Sequence, residues 1–184
     1  MMEKIDTCYG PIDAAIFEKL KNIELIIFDV DGTLTDAGVY LNAKDGEYKK
    51  FNTKDGLGIM NLLKSGLKAA VITGRTSPLT VRRMKEVHID YILQGQLDKG
   101  PALDKLCADF NLTEDKIAVI GDDLNDLPLF QRVGFSACPQ NAHPYMQKIA
   151  SIILHRDGGH GAGRELCDLL MMAHGLLNTD GGPK

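Results

Sequence analysis

At 184 residues, with 44% apolar and 25% charged side chains, the chain has the makeup of a single soluble globular domain able to bury about 70% of its unfolded surface. Its net charge of −4 gives no general affinity for nucleic acid or an anionic membrane, so a phosphorylated ligand would need local positive charge. The four dispersed cysteines, Cys8, Cys107, Cys138 and Cys167, make zinc and a disulfide framework poor expectations; with no signal pattern and no apolar run near the ~20 residues of a membrane span, the expected location is the cytoplasm.

Residues 1 to 23 read as a leader with a turn at Gly10-Pro11, then a helix after Asp13, a possible N-cap. Leu25-Ile26-Ile27-Phe28 is too short for a helix and does not alternate, so it predicts a strand buried on both faces. It ends in Asp29-Val30-Asp31-Gly32-Thr33, which puts two carboxylates at a strand's C-terminal end, where open α/β sheets bind ligands. Burying unpaired charge is costly, so the pair needs water, a metal or hydrogen-bond donors.

Gly38 to Leu41 and Glu47 to Phe51 flank Asn42-Ala43-Lys44-Asp45-Gly46, a pattern for a β-hairpin inserted at about 36–52. A helix follows from about Asp55 to Lys64. Leu67 to Ile72 is a second buried strand that ends in Thr73-Gly74-Arg75, with Pro78 opening a helix to about Glu86. A hydroxyl, free amides and an arginine there make a plausible oxyanion cradle. Residues 90 to 94 form a third strand. Lys99-Gly100-Pro101 then opens a helix to about Phe110. A cation at that helix end opposes the helix dipole, so Lys99 either points to solvent, the first expectation from position alone, or shares an anion with the helix end.

Residues 116 to 120 form a fourth strand, which runs into Gly121-Asp122-Asp123-Leu124-Asn125-Asp126 and a helix to about Arg132. That turn has more acids than capping needs. A short strand at 134–137, a short helix at 143–148 and an apolar run at 149–154 follow. His143 reads as a cap or surface residue and Met60 as packing. The tail, 156–184, opens with four glycines in six residues, expected to be mobile, and has a helix from Leu166 to about Gly175.

Alternating strands and helices predict a three-layer α/β fold around a mostly parallel sheet. That topology brings Asp29, Thr73, Lys99 and Asp122 to one edge. Clustered carboxylates there suit Mg²⁺, which takes one or two carboxylates plus a phosphate oxygen. Lys99, Arg75 and backbone amides could then accept a phosphate, with a carboxylate nucleophile forming an aspartyl-phosphate.

Asp29-Val30-Asp31-Gly32-Thr33, Thr73, Lys99 and Gly121 to Asp126 resemble, in order, the four motifs of the haloacid dehalogenase superfamily of phosphohydrolases. Within it, Thr7 to Pro11, Phe51 to Gly56, Ile72 to Arg75, Gln94-Gly95-Gln96 and Gly158 to Glu165 resemble the 3-deoxy-D-manno-octulosonate 8-phosphate (KDO 8-phosphate) phosphatases of lipopolysaccharide precursor synthesis. The resemblance implies a homotetramer packed around its hairpins, without a large cap domain. A neighbouring subunit and the Gly-rich tail would help close the site.

It also implies roles. Asp29 would be the nucleophile and a Mg²⁺ ligand. Asp31 would be general acid and base, touching substrate and lending its carbonyl to the metal. Asp122 would be the remaining carboxylate ligand, with Asp126 behind it. Thr73 and Lys99 would hold the transferring phosphoryl group. Asn52, Thr53, Lys54, Asp55 and Gly56 match the substrate loop, Arg75 the residue for the sugar's carboxylate, and Arg83 a further basic contact. Three positions depart from the family: Lys54 and Met60, where arginine is common, and Gly163, where a larger apolar residue is common and a looser tail is therefore expected. The implied substrate is thus a sugar-acid phosphate, with a nonulosonate 9-phosphate as the alternative to KDO 8-phosphate. A non-catalytic oligomerisation module is the alternative of another class.

Overall fold

The computed structural model describes residues 3–43 and 46–184, so Lys44 and Asp45 of the expected hairpin turn lie outside the described residues. In chain order the elements are β1 (Lys4–Thr7), β2 (Gly10–Asp13), α1 (Ala14–Leu20), β3 (Leu25–Phe28), β4 (Tyr40–Leu41), β5 (Glu47–Tyr48), α2 (Thr53–Lys64), β6 (Lys68–Ile72), α3 (Pro78–Glu86), β7 (Tyr91–Leu93), α4 (Gly100–Phe110), β8 (Ile117–Ile120), α5 (Leu127–Phe130), β9 (Phe135–Cys138), α6 (Pro144–Ile149), β10 (Ile152–Ile153) and α7 (Ala162–Ala173).

Six strands pair in parallel in the order β10-β9-β8-β3-β6-β7. From β3 the chain winds to β6 and β7 on one side, then crosses to β8, β9 and β10 on the other. The direction reverses beside β3, the position where such sheets leave a crevice. Phe28 pairs in register with Val71 and Ile120, so the residues just beyond the three strands emerge together.

The alternation within β3 builds both halves of the core. Leu25 and Ile27 pack with Leu103, Leu106, Leu129 and Met146 from α4, α5 and α6. Ile26 and Phe28 pack with Phe17, Leu20, Ile59, Leu62, Leu166 and Leu170 from α1, α2 and α7. All four strand residues are fully buried, which stabilises the fold by about 1.5–3 kcal/mol per large side chain. Met60 packs against the second half, as expected, and the Met171-Met172 pair belongs to it. Among the described residues no helix is long and apolar enough to cross a membrane.

Three expectations need correction. The turn of the leader is not at Gly10-Pro11: β1 and β2 form an antiparallel hairpin that turns at Cys8-Tyr9, and Gly10 and Pro11 belong to the returning strand. The helix expected at 124–132 is a 3-10 turn, Leu124–Asp126, followed by the four-residue α5 with Pro128 in its first turn. The Gly-rich stretch is packed, not loose. Gly158 and Gly159 are buried, and a Cβ on Gly158 would lie 1.7 Å from the Gly32 carbonyl oxygen. Glycine is needed there for close backbone approach. Gly163 likewise has no space to spare: its Cβ would meet Leu34 at 3.0 Å and Asp55 at 3.2 Å. Beyond α7 the chain folds back on the N-terminal hairpin, where the Cys8 amide donates to the Thr179 carbonyl at 2.8 Å.

Candidate active site

The crevice above β3 collects side chains from four strand exits. Asp29 follows β3 directly and is buried. Thr73 follows β6 and is buried, its amide donating to the Leu93 carbonyl at 2.9 Å and its carbonyl accepting from the Gln96 amide at 3.0 Å. Asp122 and Asp126 come from the turn after β8. Lys99 opens α4, after β7. Sequence position alone favoured solvent for Lys99. The reverse holds: its side chain is 0% exposed and its Nζ donates to Asp29 Oδ1 at 2.6 Å and Asp126 Oδ1 at 2.5 Å. Burial opposes the charge on Lys99, but the two carboxylates outweigh it and hold the ammonium above its usual range.

Oxygens of Asp29, Asp122 and Asp126 lie within 4.8 Å of one another. Burial raises Asp29, and the charge of Asp126 adds to it against the pull of Lys99. Burial, then Asp126 and Asp123, push Asp122 up to about 7. One ammonium does not balance this many carboxylates, so the donor set fits a hard divalent cation such as Mg²⁺. Proximity would count Asp126 among its ligands, yet both its oxygens are committed: Oδ1 to Lys99 and Oδ2 to the Asp122 amide at 3.1 Å. Asp126 therefore braces the cluster, and Asp29 and Asp122 are the better side-chain donors.

Close backbone approach makes this geometry possible. Gly32 has φ +95, and a Cβ there would sit 2.0 Å from Asp122 Oδ2. The Thr33 hydroxyl donates to Asp122 Oδ1 at 3.3 Å, and the Thr33 carbonyl accepts from the Gly159 amide at 2.9 Å. The glycine-rich stretch is thus fastened to the Asp29–Thr33 loop of its own chain. Its start is held by Glu165, fully buried, whose carboxylate accepts from the amides of His155 and Arg156.

The expected substrate residues fall into two groups. Asn52 caps α2, accepting from the Lys54 amide at 2.8 Å, and donates to the Gly159 carbonyl at 3.1 Å; Thr53 and Lys54 are exposed beside it. Arg83 reaches the Asn52 carbonyl at 3.3 Å and lines, with Lys49, Phe51 and Arg82, a cleft of about 280 Å³ between the hairpin and α3. Arg75 is half exposed and paired with Glu47 at 2.6 Å. Asp55 and Gly56 differ: both are buried, Asp55 accepts from the Arg164 amide at 2.8 Å, and Gly56 packs on Arg83 and Val87. These two shape the loop. His143 caps α6 through Nδ1, as expected.

The Asp31 side chain stands apart from the Asp29–Asp122–Asp126 cluster. Its Oδ1 is met by Lys49 Nζ, from the residue just past β5, and its Oδ2 is buried with no hydrogen-bond partner among the described residues. Lys49 and its neighbour Glu47 were not anticipated. The signal was available: in a strand, 47, 49 and 51 share one face. Those three are partly buried, whereas Tyr48 and Lys50 are exposed.

Known phosphatases resemble the chain in sequence and in fold. A haloacid dehalogenase-like hydrolase profile matches residues 76–166, a span that begins after Asp29, Asp31 and Thr73. The chain is 40% identical over 176 residues to the 3-deoxy-D-manno-octulosonate 8-phosphate phosphatase KdsC of Salmonella typhi, covering 96% of this chain and 94% of that one. The crystal structure of the Yersinia pestis 3-deoxy-D-manno-octulosonate 8-phosphate phosphatase superposes with a TM-score of 0.95 at 38% identity, covering 100% of both chains. The Moraxella catarrhalis phosphatase of that name, in complex with magnesium ion, phosphate ion and KDO, superposes with a TM-score of 0.85 at 39% identity, covering 88% of this chain and 92% of that one.

Proposed function

This chain belongs to the 3-deoxy-D-manno-octulosonate 8-phosphate phosphatases, phosphomonoester hydrolases of the haloacid dehalogenase-like family, and from that premise we propose that it releases phosphate from KDO 8-phosphate through a phospho-aspartate. The observation that carries this reading is the buried Asp29–Lys99–Asp126 triad beside Asp122, with Asp31 held separately. It supports two different tasks for the paired aspartates of one loop.

Asp29 attacks phosphorus, and Lys99 and Thr73 hold the phosphoryl oxygens as charge builds on them. Asp31 gives a proton to the departing sugar oxygen and then takes one from the hydrolytic water. Asp29, the Asp31 carbonyl and Asp122 would hold Mg²⁺, which when bound offsets the negative charge of phosphate and carboxylates. Asp126 keeps Lys99 and the Asp122 backbone in place. Arg75, Arg83 and Lys54, with Asn52 and Thr53, receive the sugar acid, Arg83 from the cleft beside the hairpin, and the sugar's carboxylate competes with Glu47 for Arg75. We further propose a cytoplasmic homotetramer assembled through the hairpins.

The test is phosphate release by the purified chain, with Mg²⁺ or a chelator, over a panel of KDO 8-phosphate, a nonulosonate 9-phosphate and simple sugar phosphates. The expected result is Mg²⁺-dependent turnover that is most efficient on KDO 8-phosphate and abolished in Asp29→Asn. A preference for the nonulosonate ester would reassign the substrate but keep the chemistry. An inactive wild-type protein would overturn the enzyme reading.

A further inference from the structure

The hairpin reaches the site through one buried cation. The Lys49 side chain is 3% exposed, and its Nζ meets Asp31 Oδ1 with Glu47 Oε1 4.0 Å away. Glu47 is itself anchored, accepting from Arg75 at 2.6 Å and from the Ser77 hydroxyl at 2.8 Å. Lys49 is thus fixed from behind by a carboxylate tied to the loop after β6. Desolvating an ammonium on a hairpin strand is unfavourable unless it is paired, and here it has two acidic neighbours.

Asp31 is the carboxylate that needs such a partner. Asp29 and Asp126 are held by Lys99, and Asp122 by Thr33. Among the described residues Lys49 is the donor to the Asp31 side chain, and it takes only Oδ1. We propose that Lys49 is a positioning residue: it clamps Asp31 through Oδ1 and so presents Oδ2 as the proton-carrying atom. This rests on the reading of Asp31 as acid and base.

The balance follows from that geometry. In the first half-reaction an Asp29 oxygen bonds to phosphorus, the ester P–O bond breaks, and the proton on Asp31 Oδ2 goes to the departing sugar oxygen. In the second, a water oxygen bonds to phosphorus and its proton goes to Oδ2. The Asp29–phosphorus bond then breaks, returning its electron pair to Asp29. A displaced Asp31 impairs both halves for an alkyl ester. For p-nitrophenyl phosphate, whose leaving group needs no proton, it impairs only the second.

The experiment uses the full-length chain with Mg²⁺ and compares wild type, Asp31→Asn, Lys49→Met and Lys49→Arg in rapid-mixing and steady-state assays. With p-nitrophenyl phosphate, Lys49→Met should release about one equivalent of nitrophenolate per subunit in a burst, then turn over about 100-fold more slowly than wild type, the scale of a 1 Å misplacement. On KDO 8-phosphate kcat should fall about as far while KM stays within about threefold, and Lys49→Arg should recover at least about tenfold of the loss. A packing role would lower burst and steady rate in proportion, with no rescue by arginine, and that result overturns the proposal. So does Lys49→Met turning over within about threefold of wild type. The controls separate the two levels. A wild-type enzyme silent on both esters, or a fully active Asp31→Asn, removes the underlying reading and this proposal with it. If both controls behave as expected and only Lys49→Met is unaffected, the role of Lys49 alone falls.

Discussion

A lysine that is 0% exposed is affordable only because two carboxylates share it, and that pairing sets what substitutions should do. Lys99→Met leaves Asp29 and Asp126 buried against each other, and breaking a buried pair costs about 3–5 kcal/mol. Urea denaturation without metal should show a loss of that order. Lys99→Met combined with Asp126→Asn should lose less than the sum of the single changes, because the second change removes the charge stranded by the first. The raised carboxylates set a pH dependence of known sign. Asp122 is pushed from 3.8 up to about 7, and Asp29 is raised as well. From about pH 4 to about pH 7 the metal-free folded chain keeps protons that the unfolded chain has released, so stability falls as pH rises through that window. Melting of the chelated protein should show this decline, and added Mg²⁺ should stabilise more at about pH 8 than at about pH 5, because ligands must be deprotonated to bind. A melting temperature that climbs over that range without metal would contradict the site electrostatics. The placement of Asp29, Asp31, Thr73 and Asp122 at one edge of the sheet was legible in the sequence because each lies just past an apolar strand. The direction of Lys99 was not legible, since its partners lie 70 and 27 residues away.

At the scale of elements, the sheet strands could be read closely because each is a short apolar run closed by a polar turn. α3 spans the expected Pro78–Glu86. The N-terminal hairpin could not be read: β1 and β2 are four residues each, mostly exposed or half-buried, with only Ile5 and Ile12 as large apolar residues. The glycine-rich stretch misled for a physical reason. Composition gives freedom to a glycine, whereas packing uses its missing side chain. Gly158 lies against the Gly32 carbonyl, and the Gly159 amide bonds to Thr33, so this segment sets the height of the loop carrying Asp31. Gly158→Ala should push that loop away. The expected outcome is a loss of about 1–3 kcal/mol in thermal or urea unfolding, as for other overpacked sites, with kcat falling by about tenfold or more. Unchanged kinetics would mean that the segment is only a covering.

At the scale of the whole molecule, the parallel sheet and its flanking helices account for the buried core but leave the hairpin without a covering. Tyr48 is 64% exposed and its cross-strand partner Tyr40 43%, while the opposite face of the same hairpin carries Glu47 and sends Lys49 to Asp31. One face therefore serves the site, and the other presents a pair of large aromatic side chains, as an interface does. Two short strands joined by little more than their own hydrogen bonds are marginal alone. Burying the outer face between subunits would fix the hairpin, and with it the placement of Lys49 and Glu47. On the proposed tetramer, light scattering should give a mass near four times the 20.1 kDa chain. Tyr40→Glu with Tyr48→Asp should lower that mass and reduce kcat as well, although neither residue belongs to the carboxylate cluster. Loss of assembly with full activity would separate the two faces and leave the hairpin's inward contacts stable on their own. A wild-type protein that stays monomeric at micromolar concentration would remove the tetramer and require another covering for these side chains.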